Sequence, residues 1–171
     1  MKSKAIKRAE ERGRILYAGD EVPHRSCGIA IAETFGRETL AYQSLRRGGL
    51  TGKGECGAVV AGRLVLGELY GDHDPTGVTT DELVRAIEQY DDALNERFDR
   101  GAAPGTDRIC NTLTCQFASF RSEARHRFCT AIASTVAGAV AQAMTHVSGD
   151  ASASEYLDRQ GIPVDESGLD H

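Results

Sequence analysis

Five cysteines, Cys27, Cys56, Cys110, Cys115 and Cys129, are the residues of this chain whose types and spacing have the most chemistry open to them. No two stand as Cys-x-x-Cys, so neither a thioredoxin-like motif nor a zinc ribbon is present. An odd number at wide spacing also does not read as a secreted disulfide framework. The five lie on four segments, and each segment carries its cysteine near its expected N-terminal end. Helix N-termini present free N–H groups and positive partial charge, which lower a thiol pKa and favour the thiolate that attacks disulfides and binds metals. Four helix starts meeting at one end of a bundle would therefore make one thiolate-rich site. Cys110 and Cys115 are separated by about 140° round a helix of 3.6 residues per turn, so Cys115 is expected to stand apart. The bland alternative is that these cysteines only pack, free Cys being among the most buried residue types.

Two further patterns bear on the same chemistry. His24-Arg25-Ser26-Cys27 and His126-Arg127-Phe128-Cys129 both read His-x-x-Cys, a spacing that puts both side chains on one helix face and allows a mixed His/Cys metal site, zinc included. Pro23 makes helical geometry around His24 doubtful. Gly48 to Gly57 is glycine-rich, but Gly52-Lys53 is followed by Gly54 and no strand precedes it, so the phosphate-loop pattern is not met. Asp72, His73 and Asp74 sit in a turn region and read as a solvated loop. Glu55 beside Cys56 reads as a complement to a helix N-terminus. Nothing orders Ser, His and Asp, or two carboxylates, for catalysis, and whether the protein is an enzyme is left open.

The elements that must position these residues are helices. A charged helix runs from about Ser3 to Ala18, a second from Ser26 to Phe35, and a short piece from Thr39 to Leu45. Cys56 to Tyr70 is apolar on almost every face, the mark of a buried helix. Thr79 to Glu82 matches a capping box, and Leu83, Ile87, Tyr90, Leu94 and Phe98 then recur on one face. Ile109 to Phe120 and the Ala-rich Arg121 to His146 complete the set. The expected fold is all-α, a compact bundle of five or six helices with the cysteines near helix N-termini, over residues 1–147. Residues 148–171 are acidic and read as a flexible tail, with Tyr156, Leu157 and Ile162 able to dock it on the body or on another subunit, so a homo-oligomer is open.

Composition agrees. The chain has 171 residues, 6% aromatic and without Trp, so its core must be built from Ala, Leu, Val and Ile. A net charge of −5 argues against a nucleic-acid module, with Arg46-Arg47 and Arg121 to Arg127 the only local basic runs. The N-terminus lacks the apolar core of a secretory signal, and both apolar stretches are interrupted by polar residues, falling short of the ~20 apolar residues of a bilayer span. A cytoplasmic protein is the expectation.

The segment from Gly52 to Gly62, GKGECGAVVAG, continuing to Gly67-Glu68-Leu69-Tyr70-Gly71, resembles the signature of the redox-active C_GCAxxG_C_C family. Cys27, opening CGIAIAETFG, matches the family's first cysteine, Cys56 the motif cysteine, Cys110 the third and Cys129 the last, over roughly Ser26 to Val136. Glu55 replaces a common glycine, Asn111-Thr112 replace Arg-Glu, and Cys115 is extra. The resemblance implies an α-helical redox protein, and related domains occur in electron-transfer proteins with iron–sulfur centres. Four thiolates are the usual ligand set of such clusters. The leading expectation is that Cys27, Cys56, Cys110 and Cys129 ligate an iron–sulfur cluster and exchange electrons with a redox partner protein. A metal-free dithiol/disulfide protein and a structural or partner-binding bundle are the alternatives.

Overall fold

The computed structural model describes residues 2–161. Among them the chain is all-α. In order come α1 (Lys4–Ala18), α2 (Cys27–Thr34), a 3₁₀ turn (Ala41–Leu45), α3 (Arg46–Gly49), α4 (Gly57–Tyr70), α5 (Asp81–Arg97), α6 (Cys110–Thr114), α7 (Glu123–Ser148) and α8 (Asp150–Asp158). No strand occurs among the described residues; the one extended contact is an isolated bridge between Glu55 and Ile109.

Local chemistry accounts for the helix ends. Ser3 Oγ accepts from Ile6 N at 3.2 Å, and Ser122 Oγ accepts from Arg125 N at 3.2 Å, each satisfying an orphan N–H. The capping box is displaced by one residue: Thr80, not Thr79, caps α5 through Leu83 N, because its hydroxyl also donates to Tyr70 O at the end of α4. The segment expected to be helical from Ile109 to Phe120 forms only one turn, α6. Its N–H groups at Cys110 and Asn111 bond to Gly54 and Gly52, and Gln116 Nε2 bonds Leu113 O and Arg100 O, which ends the turn.

The centre is α7, which packs along α1 and α5, while α4 lies against α2. Small residues permit this closeness. A Cβ on Gly13 of α1 would lie 2.9 Å from both Ala133 O and Ala137 Cβ of α7. Tyr90, Phe35, Leu66 and Val140 are fully buried in the same core, where Tyr90 Oη donates to Val59 O at 2.8 Å. By length and composition α7 reaches what a bilayer span needs, contrary to the expectation that no stretch does. Its apolar face, Ile132 to Met144, is nonetheless buried within the bundle.

Residues 148–171 were expected to be one flexible tail. The part from Asp150 to Asp158 is instead a helix docked on the bundle: Ala153 and Leu157 are buried, Leu157 O accepts from the buried Arg12 guanidinium, and Tyr156 Oη donates to Phe35 O at 2.6 Å. Two apolar residues one turn apart and a buried cation were enough to hold an otherwise polar segment. Ile162, the third residue expected to dock, lies outside the described residues.

Candidate functional site

Cys27 opens α2, Cys56 is the N-cap of α4, and Cys110 opens α6. Cys129 does not share that position. It lies beyond the first turn of α7, which starts at Glu123, so its sulfur is out of reach of the orphan N–H groups of that helix. All four nevertheless line one cavity of about 180 Å³. Cys115 is exposed, with Sγ 3.1 Å from Thr112 O, and is not among the lining residues.

The glycine-rich passage builds two walls of this cavity. Gly54 N donates to Gly48 O at 3.0 Å, Cys110 N to Gly54 O at 3.0 Å, Asn111 N to Gly52 O at 2.8 Å and Cys56 N to Arg108 O at 2.7 Å. These N–H groups thus tie the Cys110 turn to the Cys56 helix rather than cradle an anion. Two glycines are required by closeness. A Cβ on Gly57 would lie 2.2 Å from Leu45 O and 2.8 Å from Cys27 Sγ, and one on Gly48 would lie 2.6 Å from Gly54 O and 2.7 Å from Cys110 Cβ.

The two His-x-x-Cys motifs meet. His24 and His126 lie 5.4 Å apart, and both contact the Tyr17 ring, at 4.8 and 5.4 Å between centroids. Each hydrogen-bonds a carbonyl at the end of α1, His24 Nδ1 with Tyr17 O and His126 Nε2 with Ala18 O at 2.9 Å. The histidines thereby fasten the starts of α2 and α7 to α1 and set the approach of Cys27 to Cys129. Among the described residues no three His, Cys, Asp or Glu side chains converge as ligands of one metal ion. The Asp72–Asp74 turn is local, with Asp72 Oδ1 accepting from Asp74 N at 2.9 Å and Asp74 Oδ1 from Thr76 N at 2.9 Å, and the Glu55 side chain is exposed.

Burial overturns the expected thiol acidity. Desolvation pushes Cys27 up, despite N–H groups of Gly28 and Arg47 directed at its sulfur. Cys56 is pushed well up, first by burial and then by the nearness of Cys27, although Val59 and Ala58 N–H groups oppose it. Cys110 is pushed up to about 11, by burial and then by Cys27 and Cys129, while Arg47 and Arg125 pull the other way. A few backbone dipoles do not offset the loss of water around a charge that neighbouring thiols also disfavour. The Arg125 guanidinium and the Tyr17 hydroxyl stand beside Cys129, and Arg125 Nη1 donates to Tyr17 Oη at 2.8 Å. Neither Tyr17 nor Arg125 was singled out from the sequence, where Arg125 stands four residues before Cys129 and Tyr17 is seven residues from the nearest His or Cys.

The fold and the site define an all-α protein with four free cysteines facing one cavity. Comparison with family models, curated proteins and solved structures gave no match for the chain.

Proposed function

We infer that Cys27, Cys56, Cys110 and Cys129 ligate an iron–sulfur cluster and that the protein transfers electrons through it. The observation that carries this reading is four thiols from four segments lining one cavity. Four thiolates are the usual ligand set of such a cluster. The hydroxyl of Ser26 also lines the cavity and is buried without a hydrogen-bond partner, a mark of a missing occupant. The resemblance of Gly52 to Gly62 to the C_GCAxxG_C_C signature points the same way.

A bound cluster supplies one-electron redox chemistry at a potential set by its net charge, sulfur hydrogen bonds and exposure. The chain's own residues address each of these. Gly28 and Arg47 N–H groups serve the Cys27 sulfur, Ala58 and Val59 serve Cys56, and Arg125 with Tyr17 serves Cys129. The Arg47 and Arg125 guanidiniums bring positive charge to a site that would hold four thiolates. Leu113 and Ile132 exclude water from its floor. The metal-free dithiol reading is weaker, since exchange needs an accessible thiolate and burial keeps Cys27 and Cys56 protonated. Iron and acid-labile sulfide analysis of anaerobically purified protein, with its visible spectrum, tests the reading. Stoichiometric iron and sulfide with charge-transfer absorption are expected; protein that stays colourless and iron-free after anaerobic reconstitution would refute it.

A further inference from the structure

The cavity reaches the surface beside a patch whose charge opposes that of the molecule. The chain carries a net −5, yet Arg46, Arg47 and Arg125 line the cavity, and no Asp or Glu stands among its described lining residues. None of these three arginines forms an ion pair among the described residues, whereas Arg14, Arg25, Arg37, Arg63 and Arg97 all do. Arg46 and Arg47 are exposed. Between the cations lies an apolar surface. Phe120 is 38% exposed and Leu50 64%, and the guanidiniums of Arg47 and Arg125 lie 4.9 and 4.3 Å from the Phe120 ring centroid.

The backbone here is strained as well. Arg47 and Leu50 adopt positive φ, 49° and 70°, the only non-glycine residues among those described to do so. Such a conformation is unfavourable for a bulky side chain. Neither side chain belongs to the core, so core packing does not account for it. What the turn achieves is to present Arg46, Arg47 and Leu50 outward beside the cavity while the Arg47 N–H stays on Cys27.

We propose that the rim formed by Arg46, Arg47, Leu50 and Phe120 is the docking face for an acidic electron-carrier protein, an inference that rests on the electron-transfer reading of the cavity beneath it. Unpaired cations on an acidic molecule attract a negative partner to this face and repel it elsewhere, which orients the encounter. An exposed aromatic ring flanked by arginines has the composition of an interface centre. A small anion fits the geometry less well, since two of the three guanidiniums lie over the Phe120 ring instead of converging as a fork. Docking here puts the carrier at the cavity mouth. The reduced carrier would give up one electron at a time, and the acceptor would be the oxidised cluster that Cys27, Cys56, Cys110 and Cys129 hold, since reduced thiols alone accept no electron.

The test uses a strongly acidic flavodoxin as the probe. Its binding to the purified protein is measured by fluorescence anisotropy at low and at physiological ionic strength, for wild type, Arg46→Glu and Arg159→Glu. Arg46 is exposed with ordinary φ as the C-cap of the 3₁₀ turn, and Arg159 is the exposed C-cap of α8, so both variants should fold, as circular dichroism checks. Binding should weaken at least about tenfold with salt and with Arg46→Glu, and change little with Arg159→Glu. Equal effects of the two variants, or no response to salt, would overturn the proposal. So would loss of binding on adding millimolar inorganic phosphate at constant ionic strength, which would mark a small-anion site. Iron content is read on the same samples: docking without iron would fail the cluster reading alone, and iron without docking would fail this proposal alone.

Discussion

Replacing Gly57 by Ala tests whether the cysteine cavity depends on backbone closeness, and the same helix provides its control. Gly57 is the first residue of α4. An added Cβ would lie 2.2 Å from Leu45 O and 2.8 Å from Cys27 Sγ, with Leu45 C at 3.1 Å. The obstacle is mostly backbone, so it cannot rotate away, and α2, α4 and the 3₁₀ turn must shift. Overpacking of this kind costs about 1–3 kcal/mol, partly offset by the better helix propensity of Ala, worth at most about 1 kcal/mol. A net loss of about 1–2 kcal/mol lowers the Tm by about 2–8 °C in a chain of this size. Gly67, ten residues on in α4, has no atom within 4 Å of its would-be Cβ. Gly67→Ala should therefore stabilise by about 0.5–1 kcal/mol through helix propensity. Thermal and urea melts followed by circular dichroism give both signs. Gly57→Ala should also lose iron on reconstitution, because the Cys27 sulfur is displaced. If Gly57→Ala melts with or above wild type while Gly67→Ala melts below, the argument from closeness is wrong.

Three further outcomes are expected. Cys56→Ser should abolish cluster absorption while keeping the helical circular dichroism, since Ser is nearly isosteric but a poor ligand, and its melt should fall relative to the loaded wild type because ligand binding adds to folding; an unchanged spectrum and iron content would refute its place in the site. Leu157→Ala, at a fully buried position of α8, should cost about 2–5 kcal/mol in a urea melt, whereas a loss under about 0.5 kcal/mol would mean that α8 does not contribute to the fold. Tyr90 is completely buried, and burial raises its pKa well above the ordinary 10.0. The unfolded chain therefore loses the phenolic proton first, so this contribution to stability is intact below about pH 10 and is lost as pH rises towards the native value. Tyr90→Phe should cost about 1 kcal/mol at neutral pH, through the lost bond to Val59 O, and flatten the alkaline fall in urea-melt stability; an unchanged fall would refute the assignment.

The class of fold was legible in the residues. The small-residue composition, the 3.6-residue recurrence of Leu83, Ile87, Tyr90, Leu94 and Phe98, and the cap near Thr80 depend on chemistry within a turn or two of chain, which a sequence displays directly. The resemblance picked out Cys27, Cys56, Cys110 and Cys129 and left Cys115 aside; in the structure the four line one cavity and Cys115 is exposed outside it. Only the tertiary structure decided the environment they meet there. Cys129 reaches the cavity from the second turn of α7 because α1 and α7 pack closely, through contacts such as Gly13 against Ala133 and Ala137, more than a hundred residues apart in sequence. Cys27, Cys56 and Cys110 are pushed up rather than down because desolvation grows with every element laid over the site, while the helix-end dipole that favours the thiolate is local and weak. The histidines became fasteners for the same reason: the α1 carbonyls that occupy one nitrogen of each are neighbours only in the folded chain. Helix formation is decided by near neighbours in sequence, whereas burial and the meeting of distant side chains are decided by the packing of the whole bundle.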